Sequence, residues 1–77
     1  MQSQNPTPQD SILRITVNGQ EMETPAGTLA ELLILLDLSQ ARVATALNET
    51  FVPRTRRQVI ALSDGDRVEI VSPRQGG

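Results

Sequence analysis

The chain has no cysteine, histidine, tyrosine or tryptophan, and Phe51 is its single aromatic residue. Without cysteine there is no disulfide framework, thiolate nucleophile or sulfur-ligated metal site, and nothing points to an oxidising compartment. Without histidine the usual general base and the commonest metal ligand are missing. With no tyrosine either, the catalytic inventory is nearly empty. Lysine is absent too: all seven basic residues are arginine, against nine acidic ones, for a net charge of −2. Nucleic-acid binding calls for a basic surface and aromatic stacking platforms, and this composition excludes it as a leading class. A modifier that builds isopeptide chains on itself needs lysine acceptors, and here only the α-amino group could accept an acyl group. No stretch has the length of a membrane span, and the N-terminus lacks the basic and apolar blocks of a secretory signal. A soluble, cytoplasmic protein, monomeric when free, is expected.

What is present fits one small domain, since 77 residues bury only about 60% of their unfolded surface. Residues 1–11, MQSQNPTPQDS, are polar and carry two prolines, with no apolar residue after Met1. Burial cannot offset the ordering entropy of such a segment, which reads as a disordered arm. The folded domain is expected over 12–72, and 73–77 form a flexible tail.

From Ile12 the pattern alternates: Leu13, Ile15 and Val17 share one face, and Asn18-Gly19 follows. A type I′ turn requires positive φ at both central positions, which makes Asn-Gly the strongest short-range hairpin signal. A two-residue loop fixes the register, pairing Val17 with Gln20, Ile15 with Met22, Leu13 with Thr24 and Arg14 with Glu23. After Pro25, Ala26 and Gly27, Thr28 and Glu31 form a capping box. Leu29, Leu32, Leu33 and Leu36 then recur as one apolar stripe, and a helix from about Leu29 to Asp37 would lay it on the hairpin.

Ser39 to Ala41 read as a loop and Val43 to Leu47 as a short strand closed by Asn48-Glu49-Thr50. Phe51, Val52 and Pro53 continue as a short extended or edge segment. Arg54 to Gln58 is polar and basic, and it reads either as a solvated loop or as a docking patch for an acidic partner through Arg54, Arg56 and Arg57. Val59 to Leu62 add apolar anchors. Ser63-Asp64-Gly65-Asp66 is a turn cluster; its two carboxylates lack the further ligands of a calcium loop, so turn chemistry accounts for them better. In Arg67-Val68-Glu69-Ile70-Val71, Val68 and Ile70 mark one buried face. A helix after a hairpin lets this last strand return parallel to the first. The fold class is α+β: a mixed four- to five-stranded sheet on one main helix, the ubiquitin-like β-grasp, with Gly76-Gly77 leaving the sheet. Alone, that dipeptide reads as a frayed end. Launched from a central strand, it becomes a thin strip of backbone able to enter a channel too narrow for side chains.

Val17-Asn18-Gly19, Thr28-Leu29 with Leu32-Leu33, Ala46-Leu47-Asn48 before Val52-Pro53-Arg54, and Gly65-Asp66 with Val68 to Val71 before Gly76-Gly77 together resemble the ThiS family of thiamine-biosynthesis sulfur carriers. The resemblance covers about Leu13 to Gly77. It implies a carrier that enzymes act on, with no catalytic residue, metal or cofactor of its own, in which Gly77 is the acceptor of adenylation and then the thiocarboxylate and Gly76 gives the tail access. It also implies three partners: an E1-like, ThiF-like adenylating enzyme that uses ATP and Mg²⁺, a cysteine-persulfide sulfur donor, and a ThiG-like thiazole synthase. The small subunit of molybdopterin synthase resembles this family in fold and tail and is the nearest alternative. A ubiquitin-like protein modifier is the next. The family often carries tryptophan where Arg57 stands and an apolar residue where Arg74 stands, which adds Arg74 to Arg54, Arg56 and Arg57 as candidate docking residues.

Overall fold

The computed structural model of the chain describes residues 12–72; the expected N-terminal arm and the tail from Pro73 to Gly77 lie outside the described residues. Strands β1 (Leu13–Val17) and β2 (Gln20–Thr24) form the first hairpin. Asn18 at φ 51° and Gly19 at φ 86° supply the two left-handed residues of the turn. The register is the one that the two-residue loop dictates: Leu13 faces Thr24, Arg14 faces Glu23, Ile15 faces Met22 and Val17 faces Gln20. Arg14 Nη2 lies 3.2 Å from Glu23 Oε2, with both side chains largely exposed. Such a surface pair contributes about 0–1 kcal/mol.

Helix α1 (Leu29–Leu35) opens on Thr28, whose Oγ1 accepts the Glu31 N–H at 3.1 Å. Glu31 Oε1 reaches one residue further back than a standard capping box and accepts from Gly27 N at 2.6 Å. Two more free donors of the first turn are met from outside the helix, with Leu29 N donating to Ile60 O and Ala30 N to Arg57 O, each at 3.0 Å. All these N–H groups lack intrahelical partners, so the 57–60 segment completes the cap.

The helix ends two residues short of the expected Asp37. Asp37 stands at φ 65°, donating its N–H to Ile34 O at 3.0 Å, and Leu38 donates to Leu33 O at 2.7 Å. This is a Schellman closure with aspartate in the position that glycine usually takes. Asp37→Gly is accordingly expected to raise stability by about 0.5–1 kcal/mol, because the Cβ penalty of the left-handed conformation exceeds the entropy that glycine adds to the unfolded chain. Urea denaturation checks this, with Asp37→Ala, which keeps the Cβ, showing no gain.

A second hairpin joins β3 (Ala44–Leu47) to β4 (Thr50–Val52). Leu47 faces Thr50 across a two-residue turn of Asn48 at φ 50° and Glu49 at φ 73°. The edge segment expected from Phe51 to Pro53 is thus the outer strand of a hairpin, and Pro53 leads into a short 3₁₀ helix (Arg54–Arg56). The loop expected from Arg54 to Gln58 is therefore partly helical.

Strand β5 (Arg67–Val71) closes the order β2-β1-β5-β3-β4, parallel to β1 and antiparallel to β3. The side facing α1 gathers Ile15, Val52, Val68 and Ile70 against Leu29, Leu32 and Leu33, with Ala26 and Leu62 completing the buried cluster. Leu36, the fourth residue of the expected stripe, packs at its margin. Of the expected anchors from Val59 to Leu62, Leu62 is buried, whereas Val59 is 67% exposed. No helix among the described residues is long and apolar enough to cross a membrane.

Candidate functional site

The tail's root is fixed by β5, and β5 is held from both hairpin turns. On the β1 side, Thr16 N donates to Asp66 O and Asn18 N to Val68 O. There β1 gives out, and the Asn18 side chain continues the pairing: Ile70 N donates to Oδ1 at 2.8 Å, and Nδ2 donates to Ile70 O at 3.0 Å. On the β3 side, Asn48 Oδ1 accepts Arg67 N at 2.9 Å, and its Nδ2 donates to Asp66 Oδ1 at 3.0 Å. Each asparagine thus has positive φ in a turn and a side-chain amide that stands in for a strand's own backbone groups.

Asp66 Oδ2 also accepts Ser63 N, and Asp64 Oδ1 accepts Arg14 N, both at 2.7 Å. These carboxylates build the turn before β5, as expected. Among the described residues, no group of three or more His, Cys, Asp or Glu is placed to hold a metal ion.

The sheet face away from α1 carries an apolar strip at the tail's root. Val71 lies opposite Ala44, while Ala46 lies between Phe51 on β4 and Glu69 on β5. Phe51 and Val71 are 65% and 58% exposed. Sequence reasoning named neither as functional; the available signal was Phe51 alternating with the buried Val52, which puts the one aromatic side chain on the open face.

The four candidate docking arginines separate. Arg54 and Arg56 are exposed on the 3₁₀ helix. Arg57 is not part of a solvated loop: it is 9% exposed, and part of its guanidinium is turned inward. Its Nε donates to Thr45 Oγ1 at 3.0 Å and its Nη2 to Val43 O at 2.7 Å, while the Thr45 hydroxyl itself donates to Val52 O at 2.9 Å. With its carbonyl accepting Ala30 N, Arg57 joins β3 to α1. Burial first, and neighbouring Arg54 second, lower its pKa from arginine's ordinary value. The fold therefore holds this charge at a cost. The cost brings no pH dependence near neutrality, because folded and unfolded states both keep the proton there. Arg74, Gly76 and Gly77 lie outside the described residues.

Among the described residues, a parallel β1–β5 pair at the centre of a five-stranded sheet with one capped helix across one face defines a ubiquitin-like β-grasp protein. The ThiS family model matches residues 15–77. The sulfur carrier protein ThiS of Escherichia coli strain K12 is 38% identical over 66 residues, covering 84% of this chain and all of that protein. The crystal structure of a thiamine biosynthesis protein (ThiS) from Geobacter metallireducens superposes with a TM-score of 0.72 at 32% identity, over 84% of this chain and all of that one. The chain belongs to the ThiS family.

Proposed function

We propose that this protein is a sulfur carrier for thiazole formation in thiamine biosynthesis, a substrate of its partner enzymes with no catalysis of its own. The observation that supports it most is the family match, which spans residues 15–77 and so takes in both the β-grasp body and Gly77. A carboxylate is a poor acyl donor until one oxygen becomes a leaving group. In the proposed cycle the Gly77 carboxylate attacks the α-phosphorus of ATP on an E1-like, Mg²⁺-using enzyme, releasing pyrophosphate and leaving an acyl adenylate. The terminal sulfur of a cysteine persulfide then displaces AMP, and a second thiol cleaves the resulting disulfide to free the thiocarboxylate. Thiazole synthase takes the sulfur from there. The chain's part is to present the tail: Gly76 and Gly77 carry no side chain into the partner's channel, and β5 fixes where the tail begins. The apolar strip of Phe51, Ala44, Ala46 and Val71 beside that root offers the partner a surface of the kind found at interface cores.

The test is intact-mass analysis after incubation with ATP, Mg²⁺, the cognate activating enzyme and a persulfide donor. The expected result is a mass gain equal to the replacement of one oxygen by sulfur, located at Gly77 by fragmentation. No gain with demonstrably active partners would overturn the proposal. Adducts on other proteins' amines in place of sulfur would make the chain a modifier.

A further inference from the structure

The cleft between α1 and the 3₁₀ helix is lined by two arginines and, among the described residues, by no carboxylate. Its apolar wall is Ala30, Leu33 and Ile34, and its polar rim is Ser39, Arg54, Arg57 and Gln58. No carboxylate oxygen lies within 4.0 Å of the Arg57 guanidinium among the described residues. Its two hydrogen-bond partners, Thr45 Oγ1 and Val43 O, are neutral. Buried charges are ordinarily paired, and a guanidinium has five N–H groups to place. Arg54, three residues earlier, adds a second charge of the same sign at the exposed mouth. This local field runs against the chain's overall balance of −2.

We infer that this cleft is a carboxylate-binding notch, which receives the side chain of an aspartate or glutamate on a partner protein between Arg54 and Arg57. The cleft volume, about 230 Å³, is below the roughly 300–1,000 Å³ of ordinary small-molecule sites, so it suits a side-chain tip better than a nucleotide. Its apolar wall fits the methylene stem of an acidic side chain, whereas a hydrated phosphate would lose water against Leu33 and Ile34 without return. Ile34 is 61% exposed, so an apolar residue next to the partner's acid has a place to lie. The partner thus presents an acidic side chain beside an apolar one. Nothing in this depends on sulfur at Gly77, and the binding measurement reads no tail chemistry, so the two proposals fail separately.

The experiment is a titration of the ¹⁵N-labelled full chain with acetate at constant ionic strength, against chloride and inorganic phosphate, followed by NMR. Acetate is expected to give saturable shifts at the Ser39 and Gln58 amides and at Arg57 Nε–H. Arg54→Gln is expected to weaken that binding by about five-fold, the size of a partly exposed charge contact, while Arg14→Gln on the opposite hairpin leaves it unchanged. Arg54 is exposed, so the variant's spectrum itself verifies its fold. Acetate shifts no larger than those of chloride, saturation by phosphate alone, or equal acetate binding by Arg54→Gln would each overturn the inference.

Discussion

Deleting Gly76 and Gly77 is expected to cut sulfur loading by the activating enzyme at least about 100-fold while leaving the unfolding midpoint unchanged. The two halves of this result have separate causes. Among the described residues, the buried cluster lies between Ile15 and Ile70 and the strands between Leu13 and Val71, so the deletion removes none of that packing. The shortened chain ends on Gln75, whose carboxylate stops about 7 Å short, at roughly 3.3–3.6 Å per extended residue. Misplacement of a reacting atom by even about 1 Å can cost on the order of 100-fold. Gly76→Val separates reach from shape: it restores the length but puts a β-branched side chain in the strip, and loading should stay at least about ten-fold down if the partner's channel requires bare backbone. Loading rates from intact mass, with calorimetry on the same samples, check both variants. A deletion variant that loads normally would remove the tail from the proposed chemistry.

Arg57→Ala is expected to cost about 2–3 kcal/mol of folding stability, an unusually large effect for an arginine in a basic surface stretch. Two hydrogen bonds from a charged group are lost, each worth about 1.5–3 kcal/mol, and Val43 O is left without that donor. Relief of the buried charge and of its repulsion with Arg54 returns part of the loss, and Thr45 stays satisfied through Val52 O. Arg57→Met keeps the stem's packing and removes the charge, and should cost about half as much, because an apolar replacement of similar shape escapes the desolvation penalty. In a domain of this size about 1 kcal/mol moves the midpoint by 4–8 °C, so thermal unfolding resolves the series. An Arg57→Ala protein that melts with the wild type would show the guanidinium to be a bystander.

Arg57 also marks where sequence reading reached its limit. In Arg54-Thr55-Arg56-Arg57-Gln58 each residue is polar, and nothing local distinguishes the one that turns inward. Its burial follows from Val43 and Thr45, twelve and more residues away, which place a carbonyl and a hydroxyl where only a long donor reaches. The second hairpin was hidden for a related reason: Asn48-Glu49 lacks the glycine that announces a type I′ turn, and glutamate at φ 73° is a choice that local preference argues against. The first hairpin, the cap at Thr28 and the alternation in β5 were legible because there local chemistry and tertiary placement agree. The candidate site was legible as composition, in two terminal glycines and an empty catalytic inventory. The apolar strip was not, because Phe51, Ala46, Ala44 and Val71 come from three strands and meet only through their register.

The asparagine bracing of β5 has a mechanical consequence. A partner that draws the tail into its channel pulls along the axis of β5. The strand is bonded to β1 and β3 on its two flanks, so that load acts in shear, and the rungs share it instead of opening one after another. The amides of Asn18 and Asn48 add rungs at Ile70 and Arg67 where the flanking strands give out. A carrier held in this way can be gripped by its end, loaded, and released with its body intact.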